Sequence, residues 1–288
     1  MGKDMVNDKI KQLINQDKEN NSDIENRYYK WISNISEKNK RIFEKIFCDI
    51  TYYSEQELRK LLSELYVRLN ADDDFLNDAA FIPIESQSNK LNNSYILTYI
   101  LLDANNLMYN YSTIKELCGG ASPNKIIMCD DFVGSGKTIK DFLRDNKVFF
   151  QGKEIYLLLI HCMDEGKKEI ELFAKENGFK INIYYYAISY KYFKGKDIED
   201  KDAYLEECKL LGLTKKPLGD YDSEALVITY RKSPNNTLKA VWKESTKNKP
   251  PFSRPISKRP TWKEMNKEKD ARREERYQNG ERNKHDTV

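Results

Sequence analysis

The chain has 288 residues and carries 49 Lys and Arg against 46 Asp and Glu, which gives a net charge of +3. This near balance gives no reason to expect a nucleic-acid partner from net charge alone, so any such contact needs a local basic patch. Hydrophobic residues make up 39% and aromatic residues 12% of the chain, which excludes wholesale disorder and predicts a packed core.

Short-range patterns exclude three further classes of protein. The longest apolar window, residues 95–102, is far shorter than the ~20 residues that a membrane helix needs. The start of the chain lacks the continuous apolar segment of an export signal. The 5 cysteines and 2 histidines show no metal-ligand spacing, so neither a zinc site nor a disulfide framework is predicted. We therefore expect a cytoplasmic protein that makes no membrane contact.

The first quarter of the chain predicts helices. Residues 1–22 are polar and rich in Asn, Asp and Lys, so we expect a mobile tail there. Residues 23–74 carry apolar side chains at spacings of three and four, and Ser54 with Glu57 forms a capping box at the start of one helix. We interpret 23–74 as a helical appendage that packs against the core.

Strand and helix patterns alternate over residues 75–262. The predicted strands are 79–84, 126–129, 154–161, 180–188 and 225–230, and the predicted helices are 95–108, the stretch after Thr138, 167–177 and 202–211. Such alternation with highly apolar strands is typical of an α/β fold with a parallel sheet and right-handed crossovers. In open sheets of this kind, ligands bind at the carboxyl ends of the strands.

A loop of small residues joins the apolar run 126–129 to the helix that follows it. The loop opens a helix whose first N–H groups lack partners and carry partial positive charge. Glycine in the loop lets the backbone approach a ligand closely. The pattern predicts a phosphate-binding loop made of Val133, Gly134, Ser135, Gly136, Lys137 and Thr138.

Two aspartates, Asp130 and Asp131, decide which phosphate compound suits this loop. A P-loop needs glycine where Asp131 stands, five residues before Gly136, so a Walker site is excluded. Two carboxylates repel a bare triphosphate, but they can accept hydrogen bonds from the vicinal hydroxyls of a sugar or contact a magnesium ion. Carboxylates beside phosphate-binding amides therefore predict a ribose 5-phosphate site. The alternative is that the pair only caps the loop.

The stretch from Ile126 to Thr138 resembles the phosphoribosyl pyrophosphate (PRPP) motif of type I phosphoribosyltransferases. That motif runs as hydrophobic residues, two acidic residues, two hydrophobic residues, two small hydroxyl residues, glycine, any residue and threonine. Gly134 stands where the motif usually has threonine, which removes one hydroxyl. Together with segments 225–242 and 251–254, the stretch resembles the phosphoribosyltransferase-like domains of bacterial conflict systems.

The resemblance implies a type I phosphoribosyltransferase-like α/β core with an N-terminal helical appendage, acting as an anti-phage effector with a protein partner. It implies that Asp130 and Asp131 hold the ribose, that 133–138 hold the 5-phosphate, and that Mg²⁺ with Lys90 neutralises the pyrophosphate. It also places a hood, which selects the acceptor, at about 189–222. The acceptor is then a base or a nucleic-acid group. The alternative is a non-catalytic regulatory subunit that senses PRPP or a nucleotide.

Several features have two interpretations each. Lys137 either reaches a phosphate or lies exposed in the first helical turn, which we favour, and Thr138 either faces the ligand or caps the helix. His161 ends an apolar strand and is interpreted as a core residue, with a general-base role as the alternative. The segment 233–237 is interpreted as a turn. Residues 263–288 carry charges of both signs and predict a solvated tail or a helix that forms on a partner.

Overall fold

Helices form most of the first hundred residues, and strands alternate with helices after that. The computed structural model describes residues 3–85, 93–118, 123–231 and 233–254. The elements of the first part are α1 (Lys3–Gln16), α2 (Lys18–Asn21), α3 (Ile24–Ile32), α4 (Lys40–Cys48), β1 (Thr51–Tyr53), α5 (Glu55–Leu69), α6 (Asp73–Asn77), β2 (Ala79–Phe81) and α7 (Asn93–Ala104). Those of the second part are α8 (Ile114–Leu117), β3 (Lys125–Val133), α9 (Lys137–Asp145), α10 (Lys147–Phe150), β4 (Glu154–Met163), α11 (Asp164–Asn177), β5 (Lys180–Ser189), α12 (Ile198–Leu210) and β6 (Val227–Thr229).

Four parallel strands in the order β2-β3-β4-β5 form the main sheet. The register of β3 with β4 runs from Lys125 opposite Glu154 to Val133 opposite Cys162, so these two strands end side by side. Because every neighbouring pair is parallel, the carboxyl ends of the strands meet at one edge of the sheet. The predicted parallel α/β fold is confirmed.

Alternate residues of β3 enter two different cores. Ile127 and Cys129 pack with α5 and α7, whereas Ile126 and Met128 pack with α9 and α11. All four side chains are at most 1% exposed. A strand covered on both faces needs apolar residues at every position, which explains the unbroken apolar run in the sequence.

The N-terminal helices share a third core with the C-terminal part of the chain. Trp31 of α3 and Phe43 of α4 pack in it with Tyr204 of α12. The short strand β1 pairs in parallel with β6 in a second, two-stranded sheet. Residues up to Ser253 belong to one compact unit. The segment 23–74, predicted as helices that pack against the core, thus contributes core side chains and, beyond the prediction, the strand β1.

The structure also differs from the mobile tail predicted over 1–22. Residues 3–16 form α1, in which Val6, Ile10 and Leu13 recur at helical spacing and are 7%, 4% and 0% exposed. The buried side chain of Asn21 donates a hydrogen bond to the carbonyl of Leu13 at 3.1 Å. A narrow apolar stripe on an otherwise polar helix is enough to pack this segment against the core. Overall polar composition therefore does not predict a mobile tail here.

Helix α5 begins with the side-chain cap that the sequence predicts. The capping box at the start of α5 is confirmed: the Ser54 N–H donates to a Glu57 carboxylate oxygen at 2.9 Å, and the Glu57 N–H donates to Ser54 Oγ at 3.2 Å.

Within the described ranges, no helix has the length and apolarity to cross a membrane. Lys90 and the predicted tail 263–288 lie outside the described residues.

Candidate functional site

The two adjacent aspartates lie near the carboxyl end of strand β3. The sequence placed them after the strand, but β3 continues through both of them to Val133. Successive side chains of a strand point to opposite faces, so Asp130 and Asp131 have different surroundings. Asp130 is half-buried and lines a small cavity of about 60 Å³ at the end of the strand. Asp131 is 7% exposed.

Asp131 is bound by side chains from two other elements. One of its carboxylate oxygens accepts a hydrogen bond from Asn93 Nδ2 at 2.6 Å and one from Thr229 Oγ1 at 3.4 Å. Asn93 is the first residue of α7 and Thr229 is the last residue of β6. The carboxylate of Asp131 thereby ties the end of β3 to α7 and to the second sheet. Asp131 therefore has a structural contact at this position, and of the two aspartates only Asp130 lines the small cavity.

The predicted phosphate loop connects β3 to α9 and is held by glycines. Gly136 has φ +70 and precedes the first residue of α9, a conformation that glycine adopts without strain. A Cβ atom at Gly136 would lie 2.8 Å from the carbonyl oxygen of Gly166 in α11. A Cβ atom at Gly166 would in turn lie 2.1 Å from the carbonyl oxygen of Gly134. The loop and the start of α11 are therefore packed backbone against backbone.

Asn236 is a site residue that the sequence did not predict. A Cβ atom at Gly134 would lie 2.1 Å from Asn236 Cγ, so the Asn236 side chain occupies the space that a larger residue at 134 would need. Asn236 also lines the small cavity together with Asp130. The glycine at 134, where a hydroxyl residue is usual in the resembling motif, was the only signal in the sequence that another group fills this space.

The segment that carries Asn236 is fixed to the segment 219–224. Asn236 Nδ2 donates hydrogen bonds to the carbonyl oxygen of Asp220 at 3.0 Å and to Ser223 Oγ at 2.8 Å. The Ala225 N–H donates to the Asn236 carbonyl at 3.1 Å. The segment 233–237, which the sequence analysis interpreted as a turn, thus joins the phosphate loop to the end of the predicted hood.

A larger cavity of about 640 Å³ adjoins the phosphate loop. Gly134 and Ser135 form one wall, and the other walls come from the exposed sides of α9 and α11 and from Tyr221. The backbone at Tyr221 has φ 59 and ψ 26, a left-handed conformation that is uncommon for a bulky residue. The volume is within the range of small-molecule sites in proteins. Its charged lining residues are Lys137, Lys140, Asp141, Arg144, Glu165, Lys168 and Glu169.

Lys137 and Thr138 lie at the exposed start of α9. Lys137 Nζ forms an ion pair with Asp141 one helical turn later, and this hydrogen bond raises the pKa of the lysine. Arg144 shares the same carboxylate at 2.6 Å. The exposed interpretation of Lys137 agrees with this geometry. Thr138 lines the small cavity but its side chain is not the cap of α9, because Gly136 occupies that position.

His161 is a core residue with partners on both ring nitrogens. Nδ1 lies 3.0 Å from the Tyr53 hydroxyl and Nε2 lies 2.9 Å from Ser189 Oγ. Burial lowers the pKa of His161 to about 4, because the charged ring would lose its hydration. The histidine is thus neutral and engaged, which agrees with the core interpretation and leaves no ring nitrogen directed at the cavities.

A magnesium ion fits this site only if a phosphate ligand shares it. Among the described residues, no three His, Cys, Asp or Glu side chains are grouped closely enough to hold a metal ion. Magnesium in phosphate sites is commonly held by one or two carboxylates together with substrate oxygens. Asp130 lines the small cavity and fits the role of one such carboxylate. Asp131 fits it less well, because it is buried away from that cavity and its Oδ2 already accepts hydrogen bonds from Asn93 and Thr229.

Comparison with known proteins agrees with the resemblance seen in the sequence. The profile of the PRTase-CE family matches residues 28–254, which is more than half of the chain. Among solved structures, the xanthine-guanine-hypoxanthine phosphoribosyltransferase of Helicobacter pylori matches with 14% identity and a TM-score of 0.33, over 53% of this chain and 96% of that one. The orotate phosphoribosyltransferase of Aeropyrum pernix matches with 18% identity and a TM-score of 0.29, over 46% of this chain and 70% of that one. No curated protein matches the sequence significantly.

Proposed function

The chain belongs to the PRTase-CE family, and we propose on that premise that residues 130–138 bind a ribose 5-phosphate group, with PRPP as the first candidate ligand. The observation that carries the proposal is the loop at the carboxyl end of β3. There Gly134 and Gly136 bring backbone N–H groups to the start of α9, beside the half-buried carboxylate of Asp130. Amides at a helix start favour a phosphate, and a carboxylate accepts hydrogen bonds from sugar hydroxyls.

The parts of the ligand are assigned to different residues. We assign the 5-phosphate to the amides of 134–138 and a ribose hydroxyl to Asp130. Magnesium, when bound with the ligand, would supply positive charge to the pyrophosphate, and Asp130 would be its protein ligand. For Lys90, we propose the contact with the pyrophosphate that the family resemblance implies.

The adjoining cavity of about 640 Å³ suits a second group beside the sugar phosphate. In a transfer reaction, the bond between the anomeric carbon and the pyrophosphate oxygen breaks, and pyrophosphate leaves with the electron pair. A nucleophilic nitrogen or oxygen of the acceptor then bonds to that carbon and loses its proton. Catalysis by this chain would consist of positioning and electrostatic stabilisation. A base, free or within a nucleic acid, is the acceptor we propose, because Tyr221 offers an aromatic surface at the cavity.

A second candidate function is ligand sensing without turnover. Two observations favour it: Asp131 is withdrawn into the core, and Gly134 has no hydroxyl and is covered by Asn236. A chain of this kind would bind PRPP or a nucleotide at the same loop and pass the change to a protein partner. The two candidates share the binding step and differ only in chemistry.

Calorimetry with PRPP and Mg²⁺ tests the shared binding step. The variant Asp130→Asn keeps the shape of the side chain and removes its charge, so binding should weaken at least about tenfold. Lys137→Ala is the matched control, since its ammonium is paired with Asp141, and it should bind almost as the wild type does. Unchanged affinity in Asp130→Asn would show that the ribose does not contact this carboxylate.

Turnover assays separate the transferase from the sensor. Pyrophosphate release from PRPP is measured with nucleobases, RNA and DNA as acceptors. Release that depends on an acceptor and on Asp130 supports the transferase. Tight PRPP binding with no release across the panel supports the sensor.

The proposed role in anti-phage defence is tested in cells. A bacterial host that expresses the protein with its neighbouring genes is challenged with phage, and survival is compared with that of a host carrying Asp130→Asn. We expect protection or toxicity that depends on Asp130. Equal outcomes for the two proteins would exclude the loop from the mechanism of defence.

A further inference from the structure

We propose that Asn236 determines sugar specificity, because its side-chain oxygen accepts a hydrogen bond from a ribose hydroxyl in place of Asp131. The inference rests on the proposed ribose 5-phosphate site and goes beyond it by predicting that the site selects ribose over deoxyribose. Asp131 is not placed for this role, since it is 7% exposed, does not line the small cavity, and has its Oδ2 bound by Asn93 and Thr229. The pair of acidic residues therefore offers one outward carboxylate.

Asn236 and Asp130 line the same small cavity. Its Cγ occupies the space above Gly134, so the side chain lies against the phosphate loop itself. A residue with a Cβ at 134 would displace it. The absence of a side chain at 134 and the presence of Asn236 are thus two parts of one arrangement.

The orientation of the Asn236 amide follows from its partners. Nδ2 faces the carbonyl oxygen of Asp220 at 3.0 Å, and a carbonyl oxygen can only accept a hydrogen bond. The second N–H of Nδ2 is directed to Ser223 Oγ at 2.8 Å. Both donors are therefore used within the protein, and Oδ1 remains as the acceptor. An acceptor matches a sugar hydroxyl and repels a phosphate oxygen, so Asn236 suits the sugar and the loop amides suit the phosphate.

The acceptor is held rigidly before any ligand arrives. The Asp220 N–H donates to the Asn235 carbonyl at 2.9 Å, and the Ala225 N–H donates to the Asn236 carbonyl at 3.1 Å. A Cβ atom at Gly219 would lie 2.1 Å from the Asn236 carbonyl oxygen, so these backbones touch. A fixed acceptor does not lose side-chain freedom when it binds a hydroxyl, which favours discrimination between similar sugars.

The test measures affinities by calorimetry for ribose 5-phosphate, 2-deoxyribose 5-phosphate, 3-deoxyribose 5-phosphate and inorganic phosphate. One hydrogen bond of this kind corresponds to about a five- to tenfold difference in affinity. The wild type should bind at least one deoxy sugar that much more weakly than ribose 5-phosphate. Asn236→Ala should lose that preference and keep its affinity for inorganic phosphate within about twofold.

Two further variants separate sugar recognition from a purely structural effect. Ser223→Ala removes one partner of the Asn236 amide and keeps Oδ1, so its preference for ribose should persist. Gly134→Thr/Asn236→Gly exchanges the side chain above the loop for a hydroxyl residue at 134, and we expect phosphate binding to be retained. Gly134→Thr alone should lose phosphate binding, because its Cβ would overlap Asn236.

The outcomes distinguish this inference from the proposed function. Equal binding of ribose and both deoxy sugars by the wild type would overturn the role of Asn236 while leaving the phosphate site intact. An equal loss of sugar and phosphate binding in Asn236→Ala, shared by Ser223→Ala, would show that Asn236 only braces the loop. No binding of ribose 5-phosphate or phosphate by the wild type would overturn both proposals.

Discussion

Two stretches of the chain build the candidate site, and they differ in how they reach it. The stretch 130–138 is continuous: one strand end, one loop and one helix start bring Asp130 and the loop amides together. The stretch 219–237 comes much later in the chain and reaches the site through tertiary contacts: Asn236 packs against Gly134, and Tyr221 lines the larger cavity. A local sequence pattern is sufficient to predict the first stretch as part of the site. The second stretch can be assigned to the site only when the tertiary fold is known.

The same contrast exists between the two neighbouring aspartates. Asp130 lines a cavity, and Asp131 is a buried link between β3, α7 and β6. Identical side chains one residue apart thus have different roles, because the pleat of a strand turns them to opposite faces. The resembling motif implies that both contact the ligand, whereas in the structure only Asp130 of the two lines the small cavity.

The largest effect is expected where the loop meets α11. Gly166→Ala places a Cβ atom 2.1 Å from the backbone oxygen of Gly134, so the backbone must move. We expect a loss of about 3 kcal/mol in the free energy of unfolding and loss of ribose 5-phosphate binding. Urea denaturation and calorimetry measure the two effects. The control Gly178→Ala has a left-handed φ and no close neighbour, so it should cost about 1 kcal/mol and leave binding unchanged.

The second prediction concerns the aspartates. Asp131→Ala removes the buried acceptor to which the Asn93 amide donates at 2.6 Å, together with the longer contact to Thr229, which should cost about 2 to 3 kcal/mol of stability. Asp130→Ala should cost less, about 1 kcal/mol, because the side chain is half-buried and the hydrogen bond that its Oδ1 accepts from the Asp131 N–H at 3.0 Å is local. Thermal unfolding of the two variants makes the comparison. Equal losses would contradict the division of roles between the two residues.

A third, somewhat smaller effect is a decline in stability in mild acid. The folded protein holds the pKa of His161 at about 4, below the ordinary value of about 6.5 for an unfolded chain. The unfolded state therefore binds the proton first as the pH falls, so stability present above pH 6.5 is progressively lost towards pH 4. The resulting loss in the free energy of unfolding is about 2 kcal/mol by pH 5. His161→Gln should show a shallower slope between pH 6.5 and 5, and an unchanged slope would remove His161 as the cause.

The smallest effect is expected at Lys137. Its ion pair with Asp141 is exposed and spans one helical turn, and such pairs contribute less than about 0.5 kcal/mol. Lys137→Ala should therefore leave the unfolding midpoint nearly unchanged. Its affinity for ribose 5-phosphate should stay within about twofold of the wild type. A large loss of affinity would mean that the lysine leaves Asp141 to bind the phosphate.

Much of the fold could be predicted because its strands are covered on both faces. The apolar run 126–129 and the strand before His161 carry that pattern without interruption, and both strands were predicted near their observed places. The strand β1 was missed because its Thr51–Tyr53 segment is too short to show a period. Helix α1 was missed because only Val6, Ile10 and Leu13 mark its buried side.

The candidate site could be predicted only in its local part. The loop 133–138 and Asp130 follow from spacing and residue type. The burial of Asp131 depends on Asn93 and Thr229, which lie in other elements. Asn236 was missed because an asparagine beside proline indicates a turn, and nothing in a local window shows which loop that turn contacts.

Hydrogen–deuterium exchange with ribose 5-phosphate tests the central claim most directly, because it reports on the loop amides themselves. At saturating ligand, peptides that cover residues 133–141 should exchange more slowly, and peptides from α3 and α4 should be unchanged. Asp130→Asn should show the same protection only at higher ligand concentration. Saturable binding with no change in exchange over 133–141 would place the ligand elsewhere and contradict the account.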